Sequence, residues 1–317
     1  MPIGILAGLA AGALWGLTFV APLMVAPYQP LDLVVLRTLV FGAMSLAILA
    51  LRGFRDVAAL RPGMMLTLAL LGAAGFNLYF GLIALAVPLA GTAIVALIIG
   101  ALPVAMAIGG NRGADRLSPK RLVPPLVAIA AGLAIVNGAA LGTAPPAGRA
   151  GIVAGVLLAA GGFLSWYWYG MRNAAVLRHG EAKADAIGWT ALTGASTLVS
   201  LPLLAAAAWF SGLSSVPAIG LDPARLGPLV AWSLAVGLAS SFLATWLWSI
   251  ASTRLPVSLA AQLIVSETLF GLSYGFAYAG RPPTLAEAVA IVLLVGGVIG
   301  AIRAFMPAPS AAGAPGH

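Results

Sequence analysis

Glu267 stands about ten residues into an apolar run, 257–278, that is long enough to cross a bilayer. At 1.5 Å per residue this is roughly 15 Å along a helix, near the membrane midplane. A charge at that depth costs about 3 kcal/mol even on lenient insertion scales. A carboxyl there could load and release a proton, or pair with a substrate ammonium group. The structural alternative is a neutral acid hydrogen-bonded to a neighbouring helix. Ser258, Gln262, Ser266 and Ser273 fall within an ~80° arc of the same helix, with Glu267 and Tyr274 along one edge. Such a stripe faces protein or a water-filled cavity rather than lipid. It would serve either a pathway or interhelical hydrogen bonds worth about 0.6 kcal/mol each.

Aromatic residues supply a second kind of chemistry. Ser165-Trp166-Tyr167-Trp168-Tyr169 lies in the run 151–177, where Gly162, Trp166, Tyr169 and Asn173 share a helical face. In the run 226–251, Gly237, Ser241, Thr245, Trp248 and Ser252 share another. Aromatic walls with a few polar groups suit an amphipathic organic substrate; aromatics near span ends also serve as interfacial anchors. Trp166 lies well inside its span, with Trp15 as its counterpart in the first, and Asn77 and Tyr79 are polar candidates in the third. Arg37 lies about 7 Å inside the second span's outer end at 1.5 Å per residue. There it would meet an anionic group at an outer mouth, snorkel to headgroups or pair with Asp32.

Other eye-catching residues read as structural. Thr284 and Glu287 form a capping box that starts the last span. Gly4, Gly8, Gly12 and Gly16 recur every four residues, a ridge for close helix packing within one chain or between two. The chain has no Cys and two His, His179 and His317, so thiol catalysis, disulfides and Cys-ligated metals are excluded. No HExxH, membrane-embedded acid pair or GxxxxGK[ST] is present. Neither a catalytic constellation nor a metal or cofactor site is expected, and ATP hydrolysis by this chain is excluded.

The elements that must hold these residues follow from composition. Of 317 residues, 62% are hydrophobic and 8% charged, with mean hydropathy +1.07. Soluble domains carry about 25% charged residues, so a water-soluble enzyme is excluded and the solvent is mostly lipid. Apolar runs give ten expected spans at 3–25, 33–51, 64–85, 91–108, 122–141, 151–177, 186–209, 226–251, 257–278 and 285–305. The Pro/Ala/Gly/Ser-rich tail 307–317 is expected to be disordered. The first run lacks a basic leader and is longer than a signal-peptide core, so it reads as a retained span.

With the amino terminus inside, Arg52, Arg55, Arg61, Arg112, Arg116, Lys120, Arg121, Arg172, Arg178, Lys183, Arg254 and Arg303 fall on the cytoplasmic side. Arg149, Arg225 and Arg281 fall outside. The positive-inside rule then places both termini in the cytoplasm and accounts for the net charge of +8 without a nucleic-acid partner. Spans one to five and six to ten match in length and rhythm, with short linkers around Pro88 and Pro256 at corresponding points. Five helices per half makes the halves inverted, an architecture with its site at the repeat interface. The expected fold is therefore an all-α integral membrane protein of two inverted five-helix repeats, 1–141 and 151–306.

Motifs in order along the chain then resemble a known family. Leu14-Trp15-Gly16 is similar to the Trp-Gly signature of EamA-type members of the drug/metabolite transporter superfamily, and Arg37 sits where that family often has Arg-Phe. The run from Ala90 to Pro103 resembles its fourth helix, and Asp115-Arg116-Leu117-Ser118-Pro119 its Gly-Glu-Arg-Leu-Thr-Pro exit. Leu255-Pro256-Val257-Ser258 with Ser266-Glu267 resembles the ninth helix, and Gly280 to Thr284 its exit. Thr268 replaces the usual Pro after the acid, and Arg281 the usual Glu after Gly280.

The resemblance implies a carrier in the bacterial inner membrane, often an exporter, whose spans one to four and six to nine line a cavity. The expected cargo is a small amino-acid-like or aromatic, amphipathic metabolite, moved by alternating access with coupling to protons through Glu267. An intramembrane enzyme acting on lipid-soluble substrates is the alternative, and oligomeric state is left open. The substrate and coupling candidates are Glu267, Gln262, Ser266, Trp166, Tyr169, Trp15, Asn77, Tyr79, Ser241, Thr245, Arg37 and Tyr274.

Overall fold

A computed structural model describes residues 1–90, 92–112, 116–138, 148–181, 183–220 and 222–306. Asp115 of the exit motif, the boundary expected at 141 and the tail 307–317 lie outside the described residues. Among those described, the chain is helical and holds no strand. Eight helices are long and apolar enough to cross a membrane: Pro2–Met24, Pro30–Leu51, Met64–Ile83, Arg149–Arg178, Ala186–Phe210, Arg225–Arg254, Val257–Ala279 and Leu285–Phe305. Their outward faces carry large apolar side chains such as Leu66, Leu203, Phe210 and Val292, which suits a lipid surround.

The first segment is α1 (Pro2–Gly16), continued by the short 3₁₀ turns Leu17–Phe19 and Ala21–Met24. Then come α2 (Pro30–Leu51) and the one-turn α3 (Arg55–Ala58). Next, α4 (Met64–Gly72) passes through a π-helical segment, Ala73–Leu78, into α5 (Tyr79–Ala90). The expected linker at Pro88 falls inside α5. The ranges of the fourth and fifth expected spans hold α6 (Thr92–Gly100), α7 (Leu102–Gly110) and α8 (Pro119–Gly138). Pro103 in the first turn of α7 lacks the N–H needed to continue α6, so the helix restarts there.

The second part begins with α9 (Gly148–Arg178), α10 (Ala186–Phe210) and the short α11 (Val216–Ile219). In α12 (Pro223–Val236) the chain again enters a π-helical segment, Gly237–Leu243, before α13 (Ala244–Arg254). The last elements are α14 (Val257–Leu263), α15 (Val265–Ala279) and α16 (Leu285–Phe305). Gly280 adopts φ 61° to end α15, and the Thr284–Glu287 capping box forms as expected at the start of α16.

Neighbours across the fold come in matched pairs. The pair α2 and α10 pack together, as do α8 and α16, and α7 with α14. The contact of α1 with α13 is mirrored by that of α9 with α5. Likewise α2 lies on α12 and its π-helical continuation, while α10 lies on α4 and the π-helical segment after it.

The glycine ridge of α1 packs within the chain. A Cβ at Gly4 or Gly8 would strike Leu255 or Leu263, one at Gly12 the Ser266 hydroxyl and one at Gly16 the backbone of Gly271. Removing side chains along this line lets α1 approach α14 and α15 closely enough for dispersion contacts to hold them, the main attraction between helices in lipid. The backbone carrying Glu267 is thereby seated against α1.

Candidate functional site

Glu267 lies in the first turn of α15, just past the break at Ile264, and is half-buried. No side chain bonds to its carboxylate among the described residues. Facing it from α2 is Arg37, 6% exposed, with its guanidinium 4.0 Å from the centre of the Phe80 ring. Arg37 Nε is buried without a hydrogen-bond partner. Arg37, Tyr79 and Glu267 lie within electrostatic reach of one another, yet no ion pair joins the two charges.

Arg37 therefore neither snorkels outward nor pairs with Asp32, two of the alternatives expected for it. Asp32 is already bonded to the backbone N–H of Gln29 and Ser215 at 3.0 and 2.9 Å and to the Ser214 hydroxyl at 2.5 Å. Arg37 is thus turned inward and covered by Phe80. A desolvated cation over a ring gains about 2 kcal/mol, but that contact leaves its N–H donors unused.

Rings continue away from Phe80. Tyr79 packs 4.9 Å from Phe80 and 6.2 Å from Trp166; Trp166 lies 6.0 Å from Tyr169. Tyr169 meets Phe76 edge-on at 5.5 Å, and Phe76 lies 5.3 Å from Phe41, one turn after Arg37 on α2. The aromatic contacts therefore form a chain through α5, α9, the first π-helical segment and α2. Trp15 and Trp248 meet at a tilt, ring centres 5.4 Å apart, between α1 and α13. That contact mirrors Trp166 with Tyr79 between α9 and α5.

The other sequence candidates are placed as follows. Asn77 donates to the Thr197 carbonyl and the Ser200 hydroxyl, both at 2.8 Å, tying the first π-helical segment to α10. Gln262 is fully buried and donates to the Ser258 carbonyl at 3.1 Å, leaving its Oε1 unpartnered. Ser266 donates back to Leu263 at 2.7 Å and lies against Gly12. Ser273 is exposed, so the polar stripe is buried only at Ser258, Gln262 and Ser266. Tyr274 donates to the Ala13 carbonyl at 3.2 Å, and Ser240 to that of Leu14 at 2.6 Å. These bonds, with Thr18 to Trp15 at 2.7 Å, add side-chain donors to the carbonyls at the end of α1, where the Leu17 N–H also reaches Leu14 and Trp15. Ser241 and Thr245 are buried on the second π-helical segment and α13.

No protein-family model matches the chain. The inner membrane protein YtfF of Escherichia coli (strain K12) is 35% identical over 313 residues, spanning 95% of each protein. The chain belongs to the YtfF family. A solved crystal structure, titled only as that of a protein, superposes with a TM-score of 0.72 at 22% identity, over 94% of this chain and 98% of that one. The likeness to YtfF is thus end to end, and the second similarity shows a shared fold.

Three features of this YtfF-family site escape a reading of the sequence. Phe41, Phe76 and Phe80 were not singled out, although 76, 79 and 80 have the i, i+3, i+4 spacing of one helical face. The inward turn of Arg37 depends on Phe80, 43 positions away along the sequence. The π-helical segments have no hydrophobic-period signal, but they occur at functional sites often enough to be informative.

Proposed function

We propose that this YtfF-family chain is an EamA-type secondary transporter of the bacterial inner membrane. It exports a small amino-acid-like or aromatic, amphipathic metabolite by alternating access, with both termini in the cytoplasm and Glu267 as the proton-coupling group. It acts as a carrier, not as an enzyme. The observation that carries this reading is a buried Arg37 with no bonded partner, within electrostatic reach of Glu267 and beside a chain of aromatic rings. Charged groups held in lipid without internal satisfaction mark substrate or ion pathways.

The matched helix pairs support an inverted ten-span repeat: contacts of α1 with α13 and of α2 with α12 recur as α9 with α5 and α10 with α4. An inner-membrane relative, YtfF, supports the location. The excess of Lys and Arg in the loops assigned to the inside supports the orientation.

Purified protein in proteoliposomes loaded with a panel of amino acids and aromatic metabolites tests the reading. Saturable counterflow of one member is expected, with acceleration by an inward proton gradient. Conductance without saturation, or product formation in detergent with no gradient, would overturn it.

A further inference from the structure

The transporter reading uses Glu267 but gives Arg37 no task. Arg37 is 94% buried by its 6% exposure, and its guanidinium makes no hydrogen bond or ion pair with any described residue. A guanidinium has five N–H donors in a planar fork suited to two oxygens of one anion. Burying such a group unbonded is costly. A role confined to folding would be met by a bonded partner, as at Arg52, which bonds to Asp56 and Asp185. Phe80 backs the guanidinium, its ring centre 4.0 Å from Cζ, a contact that uses none of the N–H donors. Glu267 lies within electrostatic reach of Arg37 without an ion pair. Tyr79 belongs to the same group, and its ring joins Phe80 to Trp166.

We propose that Arg37, backed by Phe80, is an anion-binding and selectivity subsite, so that the ligand is bipolar. Its carboxylate docks on the unbonded guanidinium donors, its ammonium is matched to Glu267, and its apolar body lies against Tyr79 and Trp166. The two protein charges stay apart because the ligand's two charges belong between them. A ligand with only one of these groups leaves one buried protein charge unmatched, which discriminates far better than adding or removing a methylene. This deepens the transporter reading and rests on it for its purpose, but equilibrium binding tests it without transport.

Three probes with one skeleton separate the groups: L-phenylalanine has both charges, L-phenylalanine amide only the cation, and 3-phenylpropionate only the anion. Binding is measured by calorimetry on detergent-solubilised wild type, Arg37→Gln, Arg37→Lys and Glu267→Gln, with melting temperatures as the check on folding. Wild type is expected to bind phenylalanine at least about tenfold more tightly than either fragment, the scale of one charge-assisted bond. Arg37→Gln should erase the preference over the amide and leave the preference over 3-phenylpropionate. Glu267→Gln should do the reverse, and Arg37→Lys should restore part of the first preference.

Equal weakening of all three probes by Arg37→Gln would make Arg37 an internal counter-charge and overturn the subsite. So would failure of all three to bind folded wild type. Selective binding with no counterflow would leave the subsite standing and remove the transporter reading; counterflow with unaltered selectivity in Arg37→Gln would do the opposite.

Discussion

At the end of α2, Arg52 bonds to Asp56 through Nε at 2.5 Å and Nη2 at 3.0 Å, and to both oxygens of Asp185 at 3.1 Å. Asp185 also caps α10 by accepting the Gly188 N–H at 2.8 Å. About four turns earlier on the same helix, Arg37 has no bonded partner, and Glu267 lies within electrostatic reach of it without an ion pair. The first cluster closes on itself and ties α2 to the start of α10. In the second, the same residue types are held open where lipid makes an open charge most expensive. The contrast separates charges that build the fold from charges left for a ligand.

Breaking the closed cluster should have the largest effect on stability. Arg52→Ala strands Asp56, which is 4% exposed, and should cost about 3 kcal/mol in reversible detergent unfolding. Counterflow per folded molecule should be unchanged. The acid response comes next. The Arg52 hydrogen bond, followed by its charge, holds the Asp56 carboxyl below the usual range for aspartate. Its folded value lies below its unfolded value, so its contribution is complete above about pH 4 and is lost as pH falls through the folded value. Thermal melts at decreasing pH should show that loss in wild type and a flatter curve in Asp56→Asn.

The spans, the Thr284–Glu287 capping box and the interest of Glu267 were legible in the sequence because each is a local signal. Hydropathy, a three-residue spacing and a lone acid in an apolar run need no knowledge of partners. The Asp32 pairing and the snorkelling of Arg37 fail because Phe80, distant in sequence, covers its guanidinium and because Ser214 and Ser215 occupy the nearer Asp32. The glycine ridge was recognised as a packing surface, but its partners Leu255, Leu263 and Ser266 belong to the far end of the chain. The bond of Asn77 to Thr197 is equally long in range and ties its helix to α10.

Smaller effects sharpen the comparison. Thr284→Ala removes a side-chain cap that accepts the Glu287 N–H and should cost about 1 kcal/mol in the same unfolding measurement, with counterflow unaltered. Arg37→Met should leave the unfolding free energy within about 1 kcal/mol of wild type, or raise it, because it exchanges an unbonded buried charge for an apolar chain. Its counterflow should nevertheless be lost. A large fall in stability would place Arg37 with the closed cluster.

The most direct test is the initial counterflow rate of Glu267→Gln at matched reconstitution, with the pH of both faces varied. The account predicts a rate at least about tenfold below wild type and no remaining pH dependence, from a protein that melts at the same temperature. A Glu267→Gln variant that transports as fast as wild type with the same pH dependence would contradict it.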